Sequence, residues 1–143
     1  MRIMISARNQ FVGTVVNVKA GAVNGVVTIK SGDEEIKADI TMESIKQLGL
    51  KEGVEAAAVV KATSVMFASG SERFSNLSAR NQFIGTISNV KEGAVNGHIT
   101  LSLPDGNQIT GSITNEAIEE LGLTEGAPAV AIIKSTDVMV ATF

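Results

Sequence analysis

The chain has 143 residues, of which 44% are hydrophobic and 19% charged, a composition that predicts a soluble globular protein of one ordinary domain or two very small ones. The net charge of -3 argues against a nucleic-acid binder, because phosphate neutralisation requires clustered lysine and arginine. With no cysteine and a single histidine, the sequence excludes disulfides, thiol chemistry and the usual zinc sites.

Each half of the chain is predicted to be mostly β-strand, with one short helix. The helix is expected to begin at the N-cap Thr41, to bury Ile45 and Leu48, and to end at Gly49. In chain order, the predicted strands of the first half are a leading strand over residues 2–8 and then strands over 11–18, 23–29, 36–40 and 55–66.

The strongest sequence feature is an internal repeat. The motif Ser-Ala-Arg-Asn-Gln-Phe occurs at residues 6–11 and again, letter for letter, at residues 78–83. Further matches follow along both halves, so the chain is a duplicated module. The predicted organisation is one domain over 1–68, a small polar linker over 69–77 and a second domain over 78–143.

The order of the predicted elements favours an OB-type barrel that lacks one strand. Such a barrel has five strands and places its helix after the third, but only one strand follows the helix in each copy. A leading strand from the same copy, from the other copy or from another chain could supply the fifth. We therefore expect two OB-like five-stranded β-barrels with exchanged strands, since modules this small are marginally stable alone.

Residues that could support catalysis are scarce. His98 is the only imidazole, and Val26 takes its place in the first copy, so a surface histidine is a better interpretation than a general base. The acidic residues fall at turns and helix ends, where solvated charge is the simpler explanation. The sequence thus predicts no enzyme and no catalytic cofactor.

Cations and hydroxyls repeat instead. On an extended strand, Ser6 and Arg8 would share one face, and Lys61 and Thr63 would share another near the end of the last strand. One interpretation is an internal salt bridge. The other is a site for a small oxyanion, built from arginine, lysine, hydroxyl and main-chain N–H donors.

These motifs, together with Lys-x-Gly-x-Val-Asn and the closing Lys-x-Thr-x-Val-Met, resemble the Mop domain of molbindins, which are small cytoplasmic proteins that bind molybdate and tungstate. The resemblance covers both copies. It implies OB-like barrels, a homotrimer of tandem chains, oxyanions held between subunits, and a role in molybdate storage and homeostasis in the cytoplasm. Molybdate or tungstate would be the bound ligand, with no coordinated metal cation, no nucleic-acid partner and no membrane association.

Carried over residue by residue, the resemblance implies two sets of ligands. The main sites would use Ser6, Ala7, Arg8, Thr41, Lys61 and Ala62, and in the second copy Ser78, Ala79, Arg80, Thr114, Lys134 and Ser135. A second class of site is implied at Gly21, Ala22, Val23 and Asn24 and at Gly93, Ala94, Val95 and Asn96, although an ordinary hairpin turn also explains these segments.

Two other functions stay open from the sequence. An oxyanion-sensing module that docks on a partner protein could use an apolar patch around Phe74 and Leu77. An OB-type nucleic-acid module is disfavoured by the acidic balance and by the absence of tyrosine and tryptophan.

Overall fold

The structure, a computed structural model, describes residues 5–143 and contains two compact units. The first unit comprises the chain up to Val60 together with Lys134–Phe143, and the second comprises Lys61–Ile133. Each unit contains one five-stranded antiparallel sheet and one short α-helix.

The first unit builds its sheet in the order β10-β4-β1-β2-β3. Strand β3 also contacts β10 and the 3-10 turn Ser135–Asp137, so the two edges of the sheet approach each other and form an OB-like barrel. The elements of this unit are β1 (Asn9–Lys19), β2 (Asn24–Ser31), β3 (Glu34–Thr41), α1 (Met42–Gln47), β4 (Glu55–Val60) and β10 (Met139–Ala141).

The second unit repeats this order as β5-β9-β6-β7-β8. Strand β8 contacts β5 and the 3-10 turn Ala62–Ser64, which again brings the sheet edges together. The elements of this unit are β5 (Met66–Ser69), β6 (Asn81–Glu92), β7 (Asn96–Ser102), β8 (Gln108–Thr114), α2 (Asn115–Glu120) and β9 (Pro128–Ile133).

Local sequence explains the helix and the strands around it. Alternation along β1 buries Phe11 and Val15, and the Thr41 hydroxyl accepts a hydrogen bond from the Ser44 N–H to cap α1. Gly49 ends the helix at φ +64°, as predicted. Ile45 is buried as expected, but Leu48 is only half-buried and Leu50 fills the core in its place.

The expectation of exchanged strands is confirmed. Strand β10, from the end of the second copy, completes the sheet of the first unit, and β5, from the end of the first copy, completes that of the second. The predicted source was wrong, because the fifth strand is a trailing strand. Residues 5–8 form no strand, and the rest of the predicted leading strand lies outside the described residues.

The single strand predicted over residues 55–66 is also wrong. A 3-10 turn interrupts it, closed by hydrogen bonds from Ser64 N–H to the Lys61 carbonyl (3.0 Å) and from Val65 N–H to the Ala62 carbonyl (3.3 Å). Because the chain turns there, β4 and β5 belong to different sheets. Each compact unit therefore contains the end of the other sequence repeat in place of its own.

Candidate functional site

Part of the repeated motif before β1 and β6 builds the core. Ala7 packs against Ala57 and Val59, with Val12 and Ala141 beside them. The remaining buried members of the motif are Asn9 and Phe11 in the first copy and Asn81, Gln82 and Phe83 in the second. Repetition of these residues therefore follows from packing.

The glutamine of the motif shapes the segment in front of it. The Gln10 Nε2 group donates to the Ala7 carbonyl at 3.4 Å, and Gln82 Nε2 donates to the Ala79 carbonyl at 3.3 Å. These bonds hold the main chain of residues 7–8 and 79–80 in a bend instead of a strand. Because the segment is not extended, the predicted shared strand face of Ser6 and Arg8 is wrong.

The serine and arginine of the motif take no part in core packing. Ser6, Arg8, Ser78 and Arg80 are exposed, and within residues 5–143 no side chain of these four has a hydrogen bond or an ion pair. The alternative of an internal salt bridge is therefore not realised in the described residues. Two unpartnered guanidinium groups can each offer five N–H donors to an anion.

The lysines lie just past the ends of two β-ladders. The register pairs Asn9 with Val60, so Arg8 and Lys61 are the next residues along these two strands beyond the last pair. The second copy repeats this arrangement, with Asn81 paired with Ile133. Arg80 and Lys134 therefore also follow a ladder end.

The lysines also begin the 3-10 turns. Lys61 and Lys134 are exposed N-cap residues of these turns, so the shared strand face predicted for Lys61 and Thr63 is wrong. Ala62 and Ser135 are the first residues of the turns and are half-buried. The boundary between the two units falls at the start of these turns, between Val60 and Lys61 and between Ile133 and Lys134.

Thr41 and Thr114 lie apart from this segment within their units. Thr41 pairs with Asn24 at the β2–β3 ladder end, which adjoins the end of β1 opposite to Arg8. Its hydroxyl caps α1 and donates to Ser44 Oγ at 2.9 Å, and Thr114 caps α2 in the same way. Helix capping thus explains the positions of both threonines. Within its own unit, neither threonine lies near the arginine of the repeated motif.

The turns of the implied second site class lie beside those helix starts. The Met42 N–H donates to the Val23 carbonyl and the Asn115 N–H to the Val95 carbonyl, both at 2.8 Å. A β carbon on Gly21 would meet the Asn24 carbonyl oxygen at 2.3 Å, so the turn itself requires glycine there. Val23 and Val95 are about three-quarters exposed.

The acidic and imidazole side chains of the described residues are dispersed. No cluster of three or more histidine, cysteine, aspartate or glutamate side chains suited to a metal ion occurs among residues 5–143. His98 is half-buried in β7, which corrects the expectation of a surface position, and its Nδ1 atom is buried without a partner in the described part of the chain. No helix in that part is long and apolar enough to cross a bilayer.

A cavity of about 330 Å³ lies beside α2 in the second unit. Its apolar side includes Val90 and Ile118, and Glu92, Glu119 and Glu125 line it as well. Three exposed carboxylates oppose an anionic ligand, so this cavity is not part of the candidate oxyanion site.

Sequence reasoning missed the residues that position the candidate segment. Gln82, which is 8% exposed, also holds the linker residue Phe74, and Arg73 donates to the Arg80 carbonyl. The identical repetition of the glutamine was a signal for its role. No sequence pattern marked Arg73.

The fold and sequence match known proteins over both copies. The sequence matches the TOBE domain family over residues 5–67 and 77–140. The solved structure of a cytoplasmic molybdate-binding protein, ModG, with molybdate bound, is 44% identical and superimposes with a TM-score of 0.93, covering 99% of this chain and all of that one.

One curated relative matches both copies of the repeat, and another matches a single copy. The molybdenum transport protein ModE of Herbaspirillum seropedicae is 42% identical over 142 residues, and the chain spans about half (52%) of its length. Molybdenum-pterin-binding protein 1 of Clostridium pasteurianum is 45% identical over 65 residues, which cover 46% of this chain and 96% of that protein. The chain therefore belongs to the TOBE-domain family, as a tandem pair of Mop-like domains of the molbindin type.

Proposed function

We propose that this protein binds molybdate or tungstate inside the cell, as a store that buffers the free oxyanion and carries out no catalysis. The observation that carries the proposal is the repeated pair of exposed side chains at Ser6 and Arg8 and at Ser78 and Arg80, which have no side-chain partner among residues 5–143. The molybdate-bound ModG structure, with its closely similar fold, supports the same ligand for this chain.

The chemistry of the residues suits this ligand. Molybdate is a tetrahedral dianion near neutral pH, so it requires cations and hydrogen-bond donors, not the thiolates and imidazoles that hold a metal cation. Micromolar affinity corresponds to about 8 kcal/mol. Four or five charge-assisted hydrogen bonds of about 1.5–3 kcal/mol each can supply it after desolvation.

The proposed site consists of the arginine segments, the lysines at the ladder ends and the first residues of the 3-10 turns. Lys61 and Ala62 would act in one set, and Lys134 and Ser135 in the other. Since Thr41 and Thr114 lie at the far end of their units, neither could join the arginine of its own unit at such a site. From the resemblance to molbindins we further propose a homotrimer in which copies meet around the oxyanions, with no nucleic-acid or membrane partner.

Calorimetric titration of the full chain with molybdate tests the site. The double variant Arg8→Gln/Arg80→Gln is expected to lose tight binding, because both sites lose a bidentate donor and a positive charge. The control Lys30→Gln/Lys51→Gln changes the net charge equally at exposed residues outside the candidate sets, and it should bind as the unsubstituted chain does. Unchanged affinity in the arginine variant would contradict the site.

Native mass spectrometry tests the assembly. The unsubstituted protein is expected as three chains carrying molybdate, and a monomer that retains full affinity would contradict the proposed sharing of sites between copies.

A further inference from the structure

The linker before the second copy is held in place by one buried side chain. The Gln82 amide accepts a hydrogen bond from the Phe74 N–H at 2.8 Å and donates to the Phe74 carbonyl at 3.1 Å. Gln82 is 8% exposed, so this pair of bonds is largely shielded from water. Phe74 is therefore fixed next to the start of β6.

Fixing Phe74 also places the residue before it. The guanidinium of Arg73 donates from Nη2 to the Arg80 carbonyl at 3.4 Å, which brings it against the segment of Ser78 and Arg80. Arg73 is exposed, and within the described chain it has no carboxylate partner. Four of its five N–H donors are thus available to an anion that binds beside this segment.

This arrangement concentrates positive charge without compensation. Arg73 and Arg80 come from a stretch of eight residues, and neither guanidinium forms an ion pair in residues 5–143. A dianion bound beside this main-chain segment could accept hydrogen bonds from both side chains.

We infer that Arg73 is a further oxyanion ligand at the binding site that contains Ser78 and Arg80. This inference rests on the proposed function. The site of Ser78 and Arg80 thus holds one cation more than the repeated motif itself supplies there.

The test is calorimetric titration of the full chain with sodium molybdate. Arg73→Gln is expected to weaken binding at half of the sites about tenfold, the effect of losing one charge-assisted bond. Arg73→Lys retains the charge and should recover most of that loss. Lys51→Gln removes one exposed charge from the first unit and should leave every site unchanged.

A double-mutant cycle shows whether Arg73 and Arg80 act on the same anion. In the Arg80→Gln background, Arg73→Gln should weaken binding less than twofold, and a full tenfold effect there would overturn the inference. An affinity unaffected by Arg73→Gln in the otherwise unsubstituted chain, or equal weakening of all sites, would also overturn it while leaving the proposed function intact. Failure of the unsubstituted chain to bind molybdate would overturn both.

Discussion

The two units have the same strand order, but the strands that complete their sheets, β10 and β5, differ in side-chain size at the same position. In the second unit, Phe67 of β5 lies over Gly111, where a β carbon would sit 2.4 Å from the Phe67 Cε2 atom. In the first unit, β10 presents Val140 at the matching register position, and β3 carries Ala38 where β8 has glycine. In the second unit, the large Phe67 of the exchanged strand is thus combined with a glycine. In the first unit, the smaller Val140 is combined with an alanine.

This difference explains why two similar repeats can exchange strands in one specific way. If β5 stayed with its own copy, Phe67 would face the fully buried Ala38 and lack the space that Gly111 provides. Val140 placed over Gly111 would leave a gap. Both errors reduce packing, so the pairs of residues at these two positions favour the exchanged arrangement over the unexchanged one.

The largest expected effect comes from removing the large member of this pair. Phe67→Ala should destabilise the protein by about 3–5 kcal/mol, because it empties a buried site over glycine. The matched change Val140→Ala removes less volume from a half-buried residue and should cost about 1–2 kcal/mol. Urea unfolding of the full chain measures both. Equal losses in the two variants would refute the asymmetry between the units.

A smaller effect is expected from filling the space instead. Gly111→Ala should cost about 1–3 kcal/mol through overpacking against Phe67 and Val65. Adding Phe67→Val to it reproduces the combination found in the first unit and should restore part of the loss in the same unfolding assay. If the second substitution deepens the destabilisation by its full separate cost, the two residues are not coupled and the steric explanation is wrong.

The comparison also shows what a sequence can and cannot predict here. The strands and the helix followed from alternation, turn residues and the Thr41 cap, which are local signals. The break at Ala62–Ser64 did not, because the residues that follow have the apolar character of a strand and only their sheet partner reveals the turn. The size match between Phe67 and Gly111 depends on residues far apart in sequence, so a single sequence gave no signal for it.

The sequence likewise predicted some residues of the candidate site and missed others. Repetition pointed to Arg8 and Arg80, and the structure shows both exposed, with no side-chain partner in the part of the chain that it describes. Thr41 was assigned with them by resemblance, although the β2–β3 register puts it at the other end of its unit. Arg73 escaped notice because its place depends on the bond between Gln82 and Phe74, which no local pattern encodes.

The helix caps provide a test in which the units should behave almost alike. Thr41→Ala and Thr114→Ala each remove a hydroxyl that accepts from a main-chain N–H at 3.1 Å, and each should cost about 1 kcal/mol. The loss at Thr41 should be slightly greater, because its hydroxyl also donates to Ser44. Thr→Ser at either position keeps the cap, and urea midpoints close to that of the unsubstituted chain are expected for it.

The smallest effect concerns the first residues of the two 3-10 turns, where Ser135 stands in one copy and Ala62 in the other. In the proposed site the Ser135 hydroxyl adds a donor that Ala62 lacks, so Ser135→Ala should weaken molybdate binding about threefold at the sites it serves, a typical loss for one neutral hydrogen bond. Stability should change by less than about 0.5 kcal/mol, since Ser135 has no side-chain partner in the described residues. The reciprocal Ala62→Ser should strengthen the other sites by a similar factor. Calorimetry on both variants measures these changes, and a loss of affinity in both would mean that the turns respond to altered packing and not to the added or removed donor.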